Sequence, residues 1–236
     1  MNLFKKIVVM TFFVSAPFSV LASVANPESG KEYQTLAQPQ PTEAHGKVEV
    51  TEFFFYTCPH CNVLDPYLTA WVKKQGNAIS FKRVPVDFGQ GQAVLARMYY
   101  TLEALGKLEA LHTKIFEEIH TKHQGLNTDQ QVLNFVAKNG VDKKKYEDMS
   151  KSFAITTKIG RAKALQTAYN IDSVPMVFVD GRYMTSPALV MGANPKMTEV
   201  QSEQSLMQVL DVLMLKAQKD RKGAAPKAEK EPKLKK

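Results

Sequence analysis

Residues 52–61 read Glu-Phe-Phe-Phe-Tyr-Thr-Cys-Pro-His-Cys, an apolar run that delivers the chain's only two cysteines, Cys58 and Cys61. A short run this rich in aromatic side chains marks a buried strand. Pro59 follows where a first helical residue is welcome, because its fixed φ suits a helix and its missing N–H would find no partner there. Cys58 therefore becomes the N-cap. From that position its sulfur faces the free N–H groups of His60 and Cys61 and the positive end of the helix dipole, which favours thiolate over thiol. Cys61 lies one turn on, on the same side of the helix and within reach of a disulfide.

The helix alone cannot supply all of that activation. A dipole contributes up to ~2 kcal/mol and one pKa unit corresponds to ~1.4 kcal/mol, so it lowers a thiol by one to two units at most. Anything further needs the two N–H hydrogen bonds and a charge or donor from His60. A more acidic Cys58 leaves more readily and stabilises the reduced pair, which makes the disulfide an oxidant of other thiols.

The 236 residues, 44% of them hydrophobic, suit one domain with an insertion or two small ones. The net charge of +8 is confined to the ends: Lys5 and Lys6 give +2, residues 216–236 give +6, and the remainder is neutral. A neutral body offers no basic face for nucleic acid. Residues 1–22 combine Lys5 and Lys6, the apolar run Ile7 to Val14 and the small-residue ending Val20-Leu21-Ala22, the pattern of a secretory signal peptide cleaved after Ala22 or, second choice, Ala25. A retained anchor is the competitor, since the stretch from Ile7 to Ala25 has no charge. Export matters because an oxidising compartment lets a C-x-x-C pair rest as a disulfide.

Periodicity places strands at Tyr33 to Leu36, Val48 to Tyr56 and Ile79 to Val86, with the active-site helix between the last two carrying Leu64, Leu68, Trp71 and Val72. Strand, helix and strand in that order imply a parallel crossover. From Phe88 to Asn170 the pattern is helical: stripes at Leu95 to Leu102, Leu108 to Ile119, a capping box at Thr128 and Gln131, a short segment at Tyr146 and Met149, and a long one from Ile155 to Tyr169. Strand character returns at Val174 to Val179, turns at Asp180-Gly181 and runs back from Arg182 to about Val190 as a hairpin. A last helix carries Leu206, Val209, Leu210, Leu213 and Met214. The tail at 220–236 holds Lys, Ala, Pro and Glu and reads as disordered, with peripheral adhesion to an anionic surface as a weaker idea.

With these elements in place the chain resembles the DsbA family of bacterial periplasmic thiol:disulfide oxidoreductases. The resemblance rests on Cys58-Pro59-His60-Cys61, on Ser173-Val174-Pro175-Met176-Val177-Phe178-Val179-Asp180-Gly181-Arg182-Tyr183, and on an insertion that includes Ala96-Arg97-Met98-Tyr99-Tyr100 and Ala104-Leu105-Gly106-Lys107. It implies an α/β thioredoxin fold (23–87 and 171–219) with an inserted all-helical domain (88–170). It further implies Cys58 as the attacking thiol, Cys61 as the resolving thiol and Pro175 as a cis-proline beside them, with the Val174 backbone offered to an extended substrate. The strongly acidic cysteine and oxidising disulfide of that family come with the resemblance, not with the dipole arithmetic. The implied partners are reduced cysteine-containing exported proteins and a quinone-linked membrane reoxidant of the DsbB type; no cofactor is implied, and a monomer is expected.

Competing readings attach to several residues. Cys58 and Cys61 could bind zinc with His120 and His123, which have ligand spacing but lie far along the chain. His60 could be a spacer, and Pro175 an ordinary trans proline. His45 and His112 read as surface residues. Glu52 sits in a strand among phenylalanines, either as half of an ion pair with Lys82 or Arg83 or as a carboxylate that moves a proton to or from Cys61, the role the resemblance supports. Met184, Met191, Met207 and Met214 read as mostly core, some of them lining a groove for unfolded substrate. An isomerase or reductase would need a dimerisation module that the stretch before Tyr33 is too short to supply. A metal carrier or holdase is the rival outside redox catalysis.

Overall fold

The computed structural model describes Val24 and residues 26–44, 46–89 and 92–224. The signal-peptide reading of 1–22, His45 and residues 225–236 lie outside the described residues. Five strands form one sheet: β1 (Tyr33–Thr35), β2 (Val48–Phe54), β3 (Ile79–Pro85), β4 (Met176–Val179) and β5 (Tyr183–Thr185), in the order β1-β5-β4-β2-β3. β2 and β3 are parallel, joined through α1 (Pro59–Gln75), and the other pairings are antiparallel. A parallel neighbour demands such a crossover, whereas β4 and β5 meet through a tight turn. That turn centres on Asp180-Gly181, with φ of 57° and 62°, the left-handed pair of a primed turn, closed by the Arg182 N–H donating to the Val179 carbonyl at 3.1 Å. Gly181 has a second reason to lack a side chain: a Cβ there would lie 2.2 Å from the Gln40 carbonyl oxygen.

The alternation of β2 divides the molecule. Val48 and Val50 face a core shared with Leu64, Leu68 and Trp71 of α1 and with Leu206, Leu210 and Leu213 of α8 (Glu199–Ala224). Phe53 faces the other way, onto Phe178 and Tyr169 with ring centroids 5.4 and 5.1 Å away. On that side the second core continues into the insertion, α2 (Gln92–Ala104), α3 (Leu108–Phe116), α4 (Asp129–Lys138), α5 (Lys143–Ser150) and α6 (Phe153–Ala168). Phe54, Tyr56, Cys58 and Cys61 also join this second core, where Phe54 packs on Tyr99 and Tyr56 on Phe116 of the insertion, with ring centroids 5.7 and 5.0 Å apart. The capping box at Thr128 and Gln131 forms as its sequence implies.

Two boundaries differ from the sequence reading by about a helical turn or more. The return strand stops at Thr185 and does not reach Val190, because Ser186 caps a new helix, α7 (Pro187–Ala193), accepting the Leu189 N–H at 3.1 Å with Pro187 at its first position. That serine–proline pair is a helix start hidden inside an apolar run. At the C-terminus, α8 continues to Ala224, five residues into the segment read as tail. Tertiary partners hold this last turn: Arg221 grips the Asp180 carboxylate through Nε and Nη2, and Asp220 accepts from the Tyr183 hydroxyl.

Candidate active site

Cys58 caps α1 with φ −80° and ψ 118°, and its sulfur accepts the Cys61 N–H at 3.4 Å. Both cysteines are free thiols, Cys58 5% exposed and Cys61 0%. The Cys61 thiol donates to the Cys58 sulfur; together with the Cys61 and His60 N–H groups and the His60 charge this outweighs burial and lowers Cys58 to about 6. Burial pushes the other way at Cys61, and the hydrogen bond it gives and the charges of Cys58 and Glu52 keep its thiol far above the usual range. The helix start thus splits two chemically identical groups into one acidic and one strongly basic sulfur.

The Val174–Pro175 peptide is cis. It ends the loop before β4, and the Val174 carbonyl lies 3.7 Å from the Cys58 sulfur. His60 is exposed on the rim, its Nδ1 2.6 Å from Glu199 Oε1 on α8. The helix N-terminus, the loop before β4 and the start of α8 therefore meet around one sulfur.

Glu52 shares the α1/α8 side of β2 with Val48 and Val50 and is 2% exposed. Its partner is Arg83, directly opposite in the β2–β3 register, with Nε 2.8 Å from Oε2. Lys82, the alternative, points to the opposite face and pairs with Glu49 at 2.9 Å, as strand alternation requires. Burial raises Glu52 to about 7 even though Arg83 opposes the shift. Arg83 also reaches Asp65 at 3.2 Å and Thr69 at 2.9 Å. Asp65 stands one turn after Cys61 on α1 and accepts from Thr113 at 3.0 Å. Burial would raise Asp65, but His112, Arg83 and Thr113 outweigh it and hold the carboxyl below its ordinary value.

His112 is not a surface residue. It is 5% exposed on α3, Nδ1 2.7 Å from the Tyr56 hydroxyl and Nε2 3.3 Å from Asp65, and burial lowers its pKa. Leu111 and Ile115 form the stripe that turns α3 inward; His112 follows Leu111 onto that face because α1 and Tyr56 offer it polar partners. His120 and His123 do not join the cysteines. Nε2 of His120, in a π-helical turn at Glu117–Thr121, donates to the Tyr56 carbonyl at 2.8 Å, and His123 is exposed. Among the described residues no group of three or more His, Cys, Asp or Glu could hold a metal ion.

A thioredoxin-type sheet with two unequal thiols at a helix start, faced by a cis X-Pro turn, defines a dithiol–disulfide exchange protein. Residues 49–202 match the family described as DSBA-like thioredoxin domain. The thiol:disulfide interchange protein DsbA of Burkholderia cepacia is 46% identical over 168 residues, covering 71% of this chain and 79% of that one. Its counterpart from Pseudomonas aeruginosa is 38% identical over 166 residues, covering 70% and 79%. The crystal structure of Pseudomonas aeruginosa DsbA superposes with a TM-score of 0.75 at 33% identity, over 85% of this chain and all of that one. The chain belongs to the DsbA family, and it is a thiol:disulfide oxidoreductase.

The sequence reading named the cysteines, His60, Pro175 and Glu52, and left the cation beside Glu52 open between Lys82 and Arg83. It missed Asp65, Tyr56, His112 and Glu199. Only Asp65 left a signal, a charged residue four positions after Cys61 beside the buried Leu64.

Proposed function

We propose that the Cys58–Cys61 disulfide is donated to newly exported proteins in the periplasm. A substrate thiolate attacks Cys58, the more exposed sulfur; the Cys58–Cys61 bond breaks and Cys61 leaves with the bonding pair. Glu52, poised near neutrality, passes a proton to that buried sulfur, which its high basicity demands. The mixed disulfide lies beside the Val174 backbone, which an extended substrate pairs with. A second substrate thiolate attacks the substrate-side sulfur, so the substrate gains a disulfide and Cys58 departs as thiolate. His60, whose charge favours that thiolate, and Pro59, which starts the helix, make Cys58 a good leaving group. A quinone-linked membrane protein of the DsbB type restores the disulfide.

The observation that carries this reading is the split between the two sulfurs: a thiolate stabilised at Cys58 favours the reduced pair and makes the disulfide oxidising. Equilibration with glutathione buffers tests it. The protein disulfide is expected to be reduced by glutathione nearly to completion at neutral pH, and to oxidise a reduced, unfolded polypeptide stoichiometrically. A disulfide that survives excess glutathione would mark a reductase.

A further inference from the structure

A second acid lies in the layer that holds Glu52. Glu203 is on the second turn of α8, 0% exposed, and neither carboxyl oxygen has a hydrogen-bond partner. An unpaired buried carboxylate is costly enough that such a group keeps its proton. Burial, then the charges of Glu199 and Glu52, raises this one to about 8. One helical turn earlier stands Glu199, whose carboxylate holds His60 on the active-site rim, so Glu203 continues inward from that rim.

The groups around it come from each element packed on α8. β2 brings Glu52, already gripped by Arg83 of β3. α1, packed on α8, carries His60, Cys61 and Asp65 in its first two turns, while its Tyr67 and Lys74 line an outer cleft with Gln204 and Asp211. α7 and β4 contain no titratable side chain, and Tyr183 of β5 is engaged with Asp220. None of these gives Glu203 a hydrogen-bonded cation.

We propose that Glu203 is a positioning residue for the Cys61 half-reaction: by keeping its own proton it holds a second negative charge out of the layer behind Cys61, leaving Glu52 alone to exchange a proton with that sulfur. This rests on the roles given above to Cys61 and Glu52. Once Glu203 ionises, both Glu52 and Cys61 become harder to deprotonate, since like charges disfavour the ionised form.

The test is the step in which Cys61 attacks a Cys58–glutathione mixed disulfide, formed from reduced protein and excess oxidised glutathione and followed by acid quenching from pH 6 to pH 9.5. Glu203→Gln, a permanent mimic of the protonated acid, is expected to match the wild type at pH 6. At pH 9.5 it is expected to be ~3–10-fold faster, the change a shift of half to one pKa unit makes in the thiolate fraction. A ratio that stays constant with pH overturns the proposal. Glu52→Gln, run alongside, is expected to be slow at pH 6 to 7. A flat Glu203 ratio with a slow Glu52→Gln removes this inference alone, whereas a Glu52→Gln as fast as wild type removes the parent role of Glu52 as well. Should Glu203→Gln not fold, the infrared carboxyl band of the wild type serves. Two buried acids losing their protons in separate steps above pH 6 support the proposal, and a single step overturns it.

Discussion

Replacing Cys58 by Ser is expected to slow disulfide donation by at least ~10³-fold, equivalent to ~4 kcal/mol of barrier, while replacing Cys61 by Ser, which likewise leaves no disulfide to donate, is expected to stall the reverse reaction, attack of Cys58 on an oxidised polypeptide, at a visible mixed disulfide. The two sulfurs have the same intrinsic chemistry, so position alone makes the difference. Cys58 is the sulfur with some exposure and the one that accepts the Cys61 N–H. Without it no covalent adduct with substrate forms. Cys61 is sealed and held as a thiol, so its loss leaves Cys58 able to join a substrate but removes the group that resolves the adduct. Non-reducing electrophoresis after incubation with an oxidised polypeptide reads both: reductant-sensitive adducts with Cys61→Ser, none with Cys58→Ser. Adducts retained by Cys58→Ser would reverse the assignment of the two roles.

Replacing Arg83 by Met is expected to cost ~3–5 kcal/mol of stability near pH 8, the range for removing one partner of a buried ion pair. Arg83 is the cation hydrogen-bonded to both Glu52 and Asp65, and its head group is also held by Thr69. Methionine keeps much of the stem's volume, so the loss reports charge more than packing. The cost should shrink as the pH falls from 8 to 5. Glu52 has a folded value of about 7, raised by burial, above its unfolded value of ~4.3. Its neutral form is therefore the stable buried one; the stability tied to that proton is complete below ~4.3 and is lost as the pH rises through 7. At pH 5 Glu52 is already neutral and misses Arg83 little, whereas at pH 8 it is an uncompensated charge. Urea midpoints at the two pH values measure this, and an equal cost at both would remove Glu52 as the titrating group.

The parts of the site readable from the chain are those whose cause is local. Cys58 as cap, Pro59 at the first helical position and the Asp180-Gly181 turn follow from backbone chemistry within a few residues. Glu52 was legible because a carboxylate in an aromatic strand must find a cation, but the choice of Arg83 over Lys82 waits on the β2–β3 register. The rest depends on contacts between distant segments. His112 looks like any helix-surface histidine until α3 lies against α1 and brings it to Asp65 and Tyr56. Glu203 falls among polar residues, Gln201, Ser202, Gln204 and Ser205, yet Ser202, Glu203 and Ser205 are buried, because the α8 start closes over α1. The helix α7 was lost for a different reason: Ala188, Leu189 and Val190 suit a strand as well as a helix, and only the Ser186-Pro187 start separates the two.

The most direct measurement is the ultraviolet absorbance of thiolate in the reduced wild-type protein, followed from acid to alkaline pH. One sulfur is expected to ionise with a midpoint about 6, and the other is expected to stay protonated well past neutrality. A first thiolate that appears only near ~8.5, the value of an unperturbed cysteine, would contradict the view that the start of α1 makes Cys58 an acid and its disulfide an oxidant.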